Sequence, residues 1–168
     1  GVNNAPDCGS SYFILKNMSS KIILYTDGGA RGNPGPAGAG VFITDESGHV
    51  LKKIAEPLGV RTNNWAEYQA IILGLQALKK IFGKEKLKHM PVEVRTDSEL
   101  VARQLSGKYQ IKEETLFPQF IKVWNIKVSD IPDITFTHIP REKNKEADAL
   151  SNEAMDEGDK KTKQGGLL

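Results

Sequence analysis

Ile22-Ile23-Leu24-Tyr25-Thr26-Asp27-Gly28-Gly29 runs from an unbroken apolar segment into a carboxylate and a pair of glycines. Ile22, Ile23 and Leu24 show no polar alternation, the pattern of a strand covered on both faces at the middle of a sheet. The two glycines predict the strand's end, so Asp27 stands at a strand terminus.

The segments that follow supply the neighbours of that strand. Residues 38–44 and 50–56 are β-rich and flank the polar turn Glu46-Ser47-Gly48-His49, which predicts a hairpin. Residues 64–82 carry Ala66, Ala70, Leu73, Ala77 and Ile81 at helical spacing, with Gly83 as the stop. A fourth strand is predicted over 91–96, a short helix over 98–105, a helical stretch over 116–128, a fifth strand over 134–139 and a last helix over 144–155. Three consecutive strands suggest an antiparallel meander. The later strand–helix alternation requires parallel additions with right-handed crossovers. The expected fold is therefore α/β, a mixed five-stranded sheet with helices on both faces. Residues 1–20 read as an N-terminal extension, with Tyr12-Phe13-Ile14-Leu15 as a candidate edge strand. Residues 21–156 read as one folded domain, and the polar, Gly-bearing residues 157–168 as a flexible tail.

A chain of 168 residues is long enough for one domain with a sizeable core. Its 39% hydrophobic and 26% charged residues are those of a soluble globular protein. No apolar stretch is long enough to span a membrane, and the N-terminus lacks the basic segment and apolar core of a secretory signal. Cys8 is the only cysteine, which excludes an internal disulfide and a cysteine-based zinc site and fits a reducing compartment. A cytoplasmic monomer is the expectation. The net charge of +2 does not by itself mark a nucleic-acid binder. Lys79, Lys80, Lys84, Lys86 and Lys88 read as a solvated face, whereas Arg141, Lys143 and Lys145 precede an acidic motif and suit phosphate steering as well as solvation.

Four acids carry the chemistry: Asp27, Glu67, Asp97 and Asp148. Asp27 and Asp97 each follow a strand-like run, and Glu67 and Asp148 lie early in helical patterns. A sheet that sets the two strand ends side by side, with the helices over them, gathers all four. Such a cluster does not stay charged without compensation, and oxygen-only ligands suit Mg²⁺ or Mn²⁺. Each acid also has a local alternative. Asp27-Gly28-Gly29 makes a turn, Asn64 with Glu67 resembles a capping box, Asp97 is placed to cap the next helix, and Asp148 complements a helix dipole. Local capping demands no common pattern among distant segments, so the set of four favours the metal cluster. Gly38-Ala39-Gly40 leads into a strand and not a helix, which excludes a dinucleotide-binding loop.

Four motifs, in order over residues 21–155, resemble those of the ribonuclease H family, type 1: Thr26-Asp27-Gly28-Gly29-Ala30-Arg31-Gly32-Asn33-Pro34-Gly35, Thr62-Asn63-Asn64-Trp65-Ala66-Glu67-Tyr68, Thr96-Asp97-Ser98, and Asn144 with Glu146-Ala147-Asp148-Ala149-Leu150. The resemblance implies the ribonuclease H-like fold, with residues 21–156 as the catalytic domain. It also implies an endonuclease that hydrolyses the RNA strand of an RNA–DNA hybrid, leaving 5′-phosphate and 3′-hydroxyl ends. Two Mg²⁺ ions, with Mn²⁺ as a substitute, are implied about 3.5–4 Å apart. Asp27 would bridge both, with Glu67 and Asp97 on one ion and Asp148 on the other.

Gly28, Asn33, Thr62, Asn63 and Asn64 match the family's substrate-binding positions. The asparagines would read 2′-hydroxyls and Thr62 would meet a DNA phosphate; turn and cap chemistry is their local alternative. His138 matches by count a histidine that assists product release in many members. Its surroundings are those of an ordinary strand histidine, and Arg141 is a rival for the role. Residues 106–130 lack the basic, Trp-rich protrusion of some members. Trp124 reads as core, Trp65 as packing beneath its neighbouring loop, and the whole as a short form with a salt-sensitive grip. A hybrid-binding domain without catalysis and a different nuclease on the same scaffold are the competing readings. The Gly-Asn-Pro-Gly and Thr-Asn-Asn motifs favour ribonuclease H.

Overall fold

The structure, a computed structural model, describes residues 20–165. The candidate edge strand at residues 12–15 lies outside them. Five strands make one sheet: β1 (Ile22–Ala30), β2 (Gly35–Asp45), β3 (Val50–Arg61), β4 (Val92–Thr96) and β5 (Ile134–His138), in the order β3-β2-β1-β4-β5. The pairs β1–β2 and β2–β3 are antiparallel, and β4 and β5 add in parallel. The unalternating apolar strand is thus central, as its composition requires. Five α-helices and two short 3₁₀ helices (Glu114–Leu116 and Arg141–Lys143) complete the described chain: α1 (Asn63–Phe82), a four-residue α2 (Lys84–Leu87), α3 (Glu99–Leu105), α4 (Phe117–Ser129) and α5 (Lys145–Gly165).

Helices cover both faces. Leu24, Val41 and Ile43 are fully buried with Ile71, Leu75 and Leu78 of α1 in the main core. Gly74 of α1 sits directly over Leu24 and Val41. On the opposite face α5 crosses β2 at Gly38 and Gly40. A Cβ on Gly40 would fall 2.1 Å from the Ala147 carbonyl oxygen, and one on Gly38 would fall 2.8 Å from that of Ser151. The Gly-Ala-Gly run is therefore a bed for a helix. Cross-strand partners share a sheet face, so Asp27, paired with Gly40, lies on the α5 side.

Three expectations are corrected. β1 does not stop at its glycines; it continues to Ala30, because Asp27 to Ala30 stay in register with Gly40 to Ala37 of β2. The last helix does not end near residue 155: residues 157–165, expected as a tail, extend α5 to Gly165. Its polar second half carries ion pairs, Lys161 to Glu157 at 3.6 Å and Arg31 to Asp156 and Asp159, and sets Gly158 against Pro57, none of which hydrophobic periodicity reports. Trp124 is not core. It is 54% exposed and stacks on Phe120 with ring centroids 6.4 Å apart. Trp65 does pack against the core, under the Arg61 guanidinium at 4.1 Å.

Candidate active site

β1 and β4 are parallel neighbours in register at Thr26 and Thr96, so the next residue of each, Asp27 and Asp97, emerges at the same edge of the sheet. Glu67 reaches them because α1 lies unusually close to β1. A Cβ on Gly28 would meet the Ala66 carbonyl carbon and oxygen at 2.2 Å, so only glycine admits the first turn of α1 here. The Gly28 backbone and the Thr96 side chain then face the Glu67 carboxylate and favour its charged form. Asp148 comes from the first turn of α5, whose approach Gly38 and Gly40 permit.

Two of the local alternatives, the caps at Asn64 and Asp97, fall away. α1 is capped by Thr62, whose Oγ1 accepts the Trp65 N–H at 3.3 Å, and not by Asn64. α3 is capped by Ser98, whose Oγ accepts the Val101 N–H at 3.3 Å, and not by Asp97. Both Asn64 and Asp97 are thereby released from cap duty.

One oxygen from each of Asp27, Glu67 and Asp97 lies within 4.8 Å of the other two. Asp148 lines the same cleft of about 660 Å³ and its charge raises Asp27; Gly28, Asn63, Ser98, Arg141 and Met155 are among the other walls. Burial, then the charges of Asp97 and Asp148, push Asp27 up to about 8, against the opposing pull of the Arg141 guanidinium. Burial, then the charges of Asp27 and Asp97, push Glu67 well above the usual carboxylate range. Burial also raises Asp97, partly offset by Arg141 and by a hydrogen bond from Asn144. The buried Oε2 of Glu67 has no hydrogen-bond partner. Arg141 compensates little: its Nε is 3.9 Å from Asp97 Oδ2 and its side chain is 85% exposed. A buried set of hard oxygen donors, with one oxygen unpartnered and too little positive charge, fits a divalent cation.

Two of the substrate-binding candidates, Asn33 and Asn63, are joined with Ala30 in one network. The Asn33 Oδ1 accepts the Asn63 N–H at 3.1 Å, and the Asn63 Oδ1 accepts the Ala30 N–H at 2.8 Å. Asn64 Nδ2 donates to Glu113 Oε2 at 3.3 Å. Of the two auxiliary candidates, Arg141 lines the cleft, whereas His138 ends β5 opposite Thr96, exposed and not among the cleft-lining residues. Two supporting residues escape a sequence reading. Asn144, fully buried, donates from Nδ2 to the Thr26 carbonyl at 3.0 Å, joining the start of α5 to β1. Thr96, fully buried, sets its side chain against the Glu67 carboxylate and favours its charged form. Both stand inside the quoted motifs, but their partners are distant in sequence.

A mixed sheet with carboxylates converging on the ends of β1 and β4, and helices supplying the rest, defines the ribonuclease H-like class of nucleases. Residues 25–154 match the family described as Reverse transcriptase-like. The chain is 36% identical over 144 residues to Ribonuclease HI of Halobacterium salinarum, a match covering 86% of this chain and 69% of that protein. It is similar to the crystal structure of LC11-RNase H1 in complex with RNA/DNA hybrid, at 54% identity and a TM-score of 0.78, covering 81% of this chain and 97% of that one. It also resembles the bifunctional protein Rv2228c of Mycobacterium tuberculosis, at 36% identity over 81% of this chain, but spans only 36% of that protein's length. The chain belongs to the ribonuclease H family, type 1.

Proposed function

We propose that this chain is an endonuclease that hydrolyses the RNA strand of RNA–DNA hybrids with two divalent cations, Mg²⁺ or Mn²⁺, in its carboxylate cleft. The convergence of Asp27, Glu67, Asp97 and Asp148 carries this reading. Family membership and the hybrid-bound LC11 relative support the substrate. Asp27, Glu67 and Asp97 would hold one ion, and Asp27 with Asp148 the other. Such a pair would supply activation of a water for in-line attack and stabilisation of the leaving 3′-oxygen, and the products would carry 5′-phosphate and 3′-hydroxyl ends. All four acids come from one chain, so a monomer suffices.

The asparagines suit the RNA strand. The oxygens of Asn33 and Asn63 accept backbone N–H groups, which fixes each amide's orientation and leaves its NH₂ to meet a 2′-hydroxyl. Asn64 would read a neighbouring hydroxyl, Gly28 would let the backbone approach, and Thr62 would present its O–H to a DNA phosphate. Beyond Asn64, a groove of about 460 Å³ lined by Leu100, Lys108, Tyr109 and Lys112 offers a surface for the second strand. Arg141 is the better placed of the two auxiliary candidates to meet a phosphate and assist turnover.

The test is cleavage of a labelled hybrid, alongside duplex RNA and duplex DNA, by the wild type and by Asp97→Asn, with and without EDTA. Hybrid-selective cleavage lost in both perturbations is expected. Binding without cleavage in Mg²⁺ and Mn²⁺, or cleavage indifferent to EDTA, would overturn the proposal.

A further inference from the structure

The turn between β1 and β2 carries Asn33, yet Arg31, Gly32, Asn33 and Pro34 are all exposed. Packing does not hold it. Polar contacts do, on two sides. Toward α1, the Asn33 Oδ1 accepts the Asn63 N–H and the Asn63 Oδ1 accepts the Ala30 N–H, which closes the turn onto the first residue of that helix. Toward α5, the Arg31 guanidinium pairs through Nη2 with Asp156 and through Nη1 with Asp159 Oδ2 at 2.9 Å. Asp156 and Asp159 are three residues apart on a helix and so share a face. They lie in the stretch by which α5 outruns its apolar pattern. Arg31 is the bridge between that stretch and the turn.

We propose that Arg31, Asp156 and Asp159 form a strap that positions the β1–β2 turn for substrate, making the second half of α5 a working part of the binding surface. The inference rests on the reading above that Asn33 and Asn63 meet the RNA strand. The three are positioning residues: they act by holding Ala30, Asn33 and Asn63 in register. The guanidinium suits the task because its planar fork binds two carboxylates at once with little loss of side-chain freedom. Partly exposed pairs contribute little to global stability, so the strap should show in substrate affinity and local order, not in the melting temperature.

A rival role must be separated. Arg31 lines the cleft and could meet a substrate phosphate itself, the two aspartates only parking it in the free protein. The roles predict opposite effects of neutralising the aspartates. The experiment compares Arg31→Gln, Asp156→Asn with Asp159→Asn, the triple variant, and Asn33→Ala, all in the full chain. Steady-state cleavage of hybrid is measured with backbone hydrogen exchange at Ala30 and Asn63 in the metal-free protein. For the strap, Arg31→Gln and the aspartate pair each raise KM about three- to tenfold with kcat nearly unchanged, and the triple variant is no worse than either. Exchange at Ala30 and Asn63 quickens in all three. Should the aspartate variant leave KM unchanged or lower it while Arg31→Gln raises it, Arg31 is a phosphate contact and the strap is refuted. Unchanged exchange at Ala30 and Asn63 refutes it equally. If Asn33→Ala leaves KM unaltered while exchange responds as expected, the strap stands as a structural device and the substrate reading of Asn33 is what fails.

Discussion

Burial, then the charges of Asp97 and Asp148, hold Asp27 up at about 8 in the metal-free protein. In the unfolded chain it behaves as an ordinary aspartate near 3.8. Between those values the folded, metal-free protein holds a proton that the unfolded chain has released. Stability therefore declines as pH rises through that window and recovers as pH falls. Glu67 and Asp97 are shifted the same way and steepen the decline. In EDTA the melting temperature should drop by several degrees between pH 6 and pH 8.5. Asp27→Asn should flatten that slope and raise the melting temperature at pH 8, while cleavage falls by about a thousandfold or more. A variant that melts lower than wild type at pH 8 would count against a strained carboxylate cluster. The same residues show what is legible in a sequence. The four acids announce themselves because their motifs recur in fixed order. The supports Thr96 and Asn144 do not, since each acts on a partner that only the folded sheet brings near.

At the scale of elements, the site depends on two helices lying abnormally close to strands. Gly28 admits α1, and Gly40 admits α5. Gly28→Ala would drive a methyl into the backbone of Ala66, which cannot yield as a side chain can. A loss of about 2–3 kcal/mol in urea denaturation is expected, with Glu67 displaced. Gly40→Ala should act on the other side, lifting α5 and moving Asp148 off the cluster while Asp27, Glu67 and Asp97 keep their places. Cleavage should fall further than stability does, and a variant with full activity would show that Asp148 is not held by this packing. The strand and helix order was readable because apolar periodicity marks buried faces. Periodicity fails where burial is not the cause. The second half of α5 is polar and its contacts are ion pairs and one glycine approach, so its sequence reads as a tail. α4 errs in the opposite sense. Phe117, Ile121, Trp124 and Val128 recur at helical spacing but face outward, and an apolar stripe does not say which side the core lies on.

Taken whole, the molecule is nearly neutral in net charge yet concentrates four acids in one cleft, so its stability and its metal affinity are two faces of one linkage. A cation that binds only the folded cleft stabilises it in proportion to the logarithm of its concentration, about 2.7 kcal/mol at a hundred times its dissociation constant. For a chain of this length that is a rise of roughly 5–10 °C in melting temperature. The cation must also displace the proton that Asp27 holds below about pH 8. Mg²⁺ binding at pH 7 should therefore release protons, and the share that comes from Asp27 should vanish by about pH 9.5, where Asp27 is already ionised. The stabilisation by a fixed Mg²⁺ concentration should be larger at pH 8 than at pH 5.5, because protons no longer compete and the like charges have most to gain. Titration calorimetry in two buffers of different ionisation enthalpy measures the released protons directly. Binding heats at pH 7 that do not depend on the buffer would mean that Asp27 is already charged in the free protein, and the electrostatic account of the cleft would have to be abandoned.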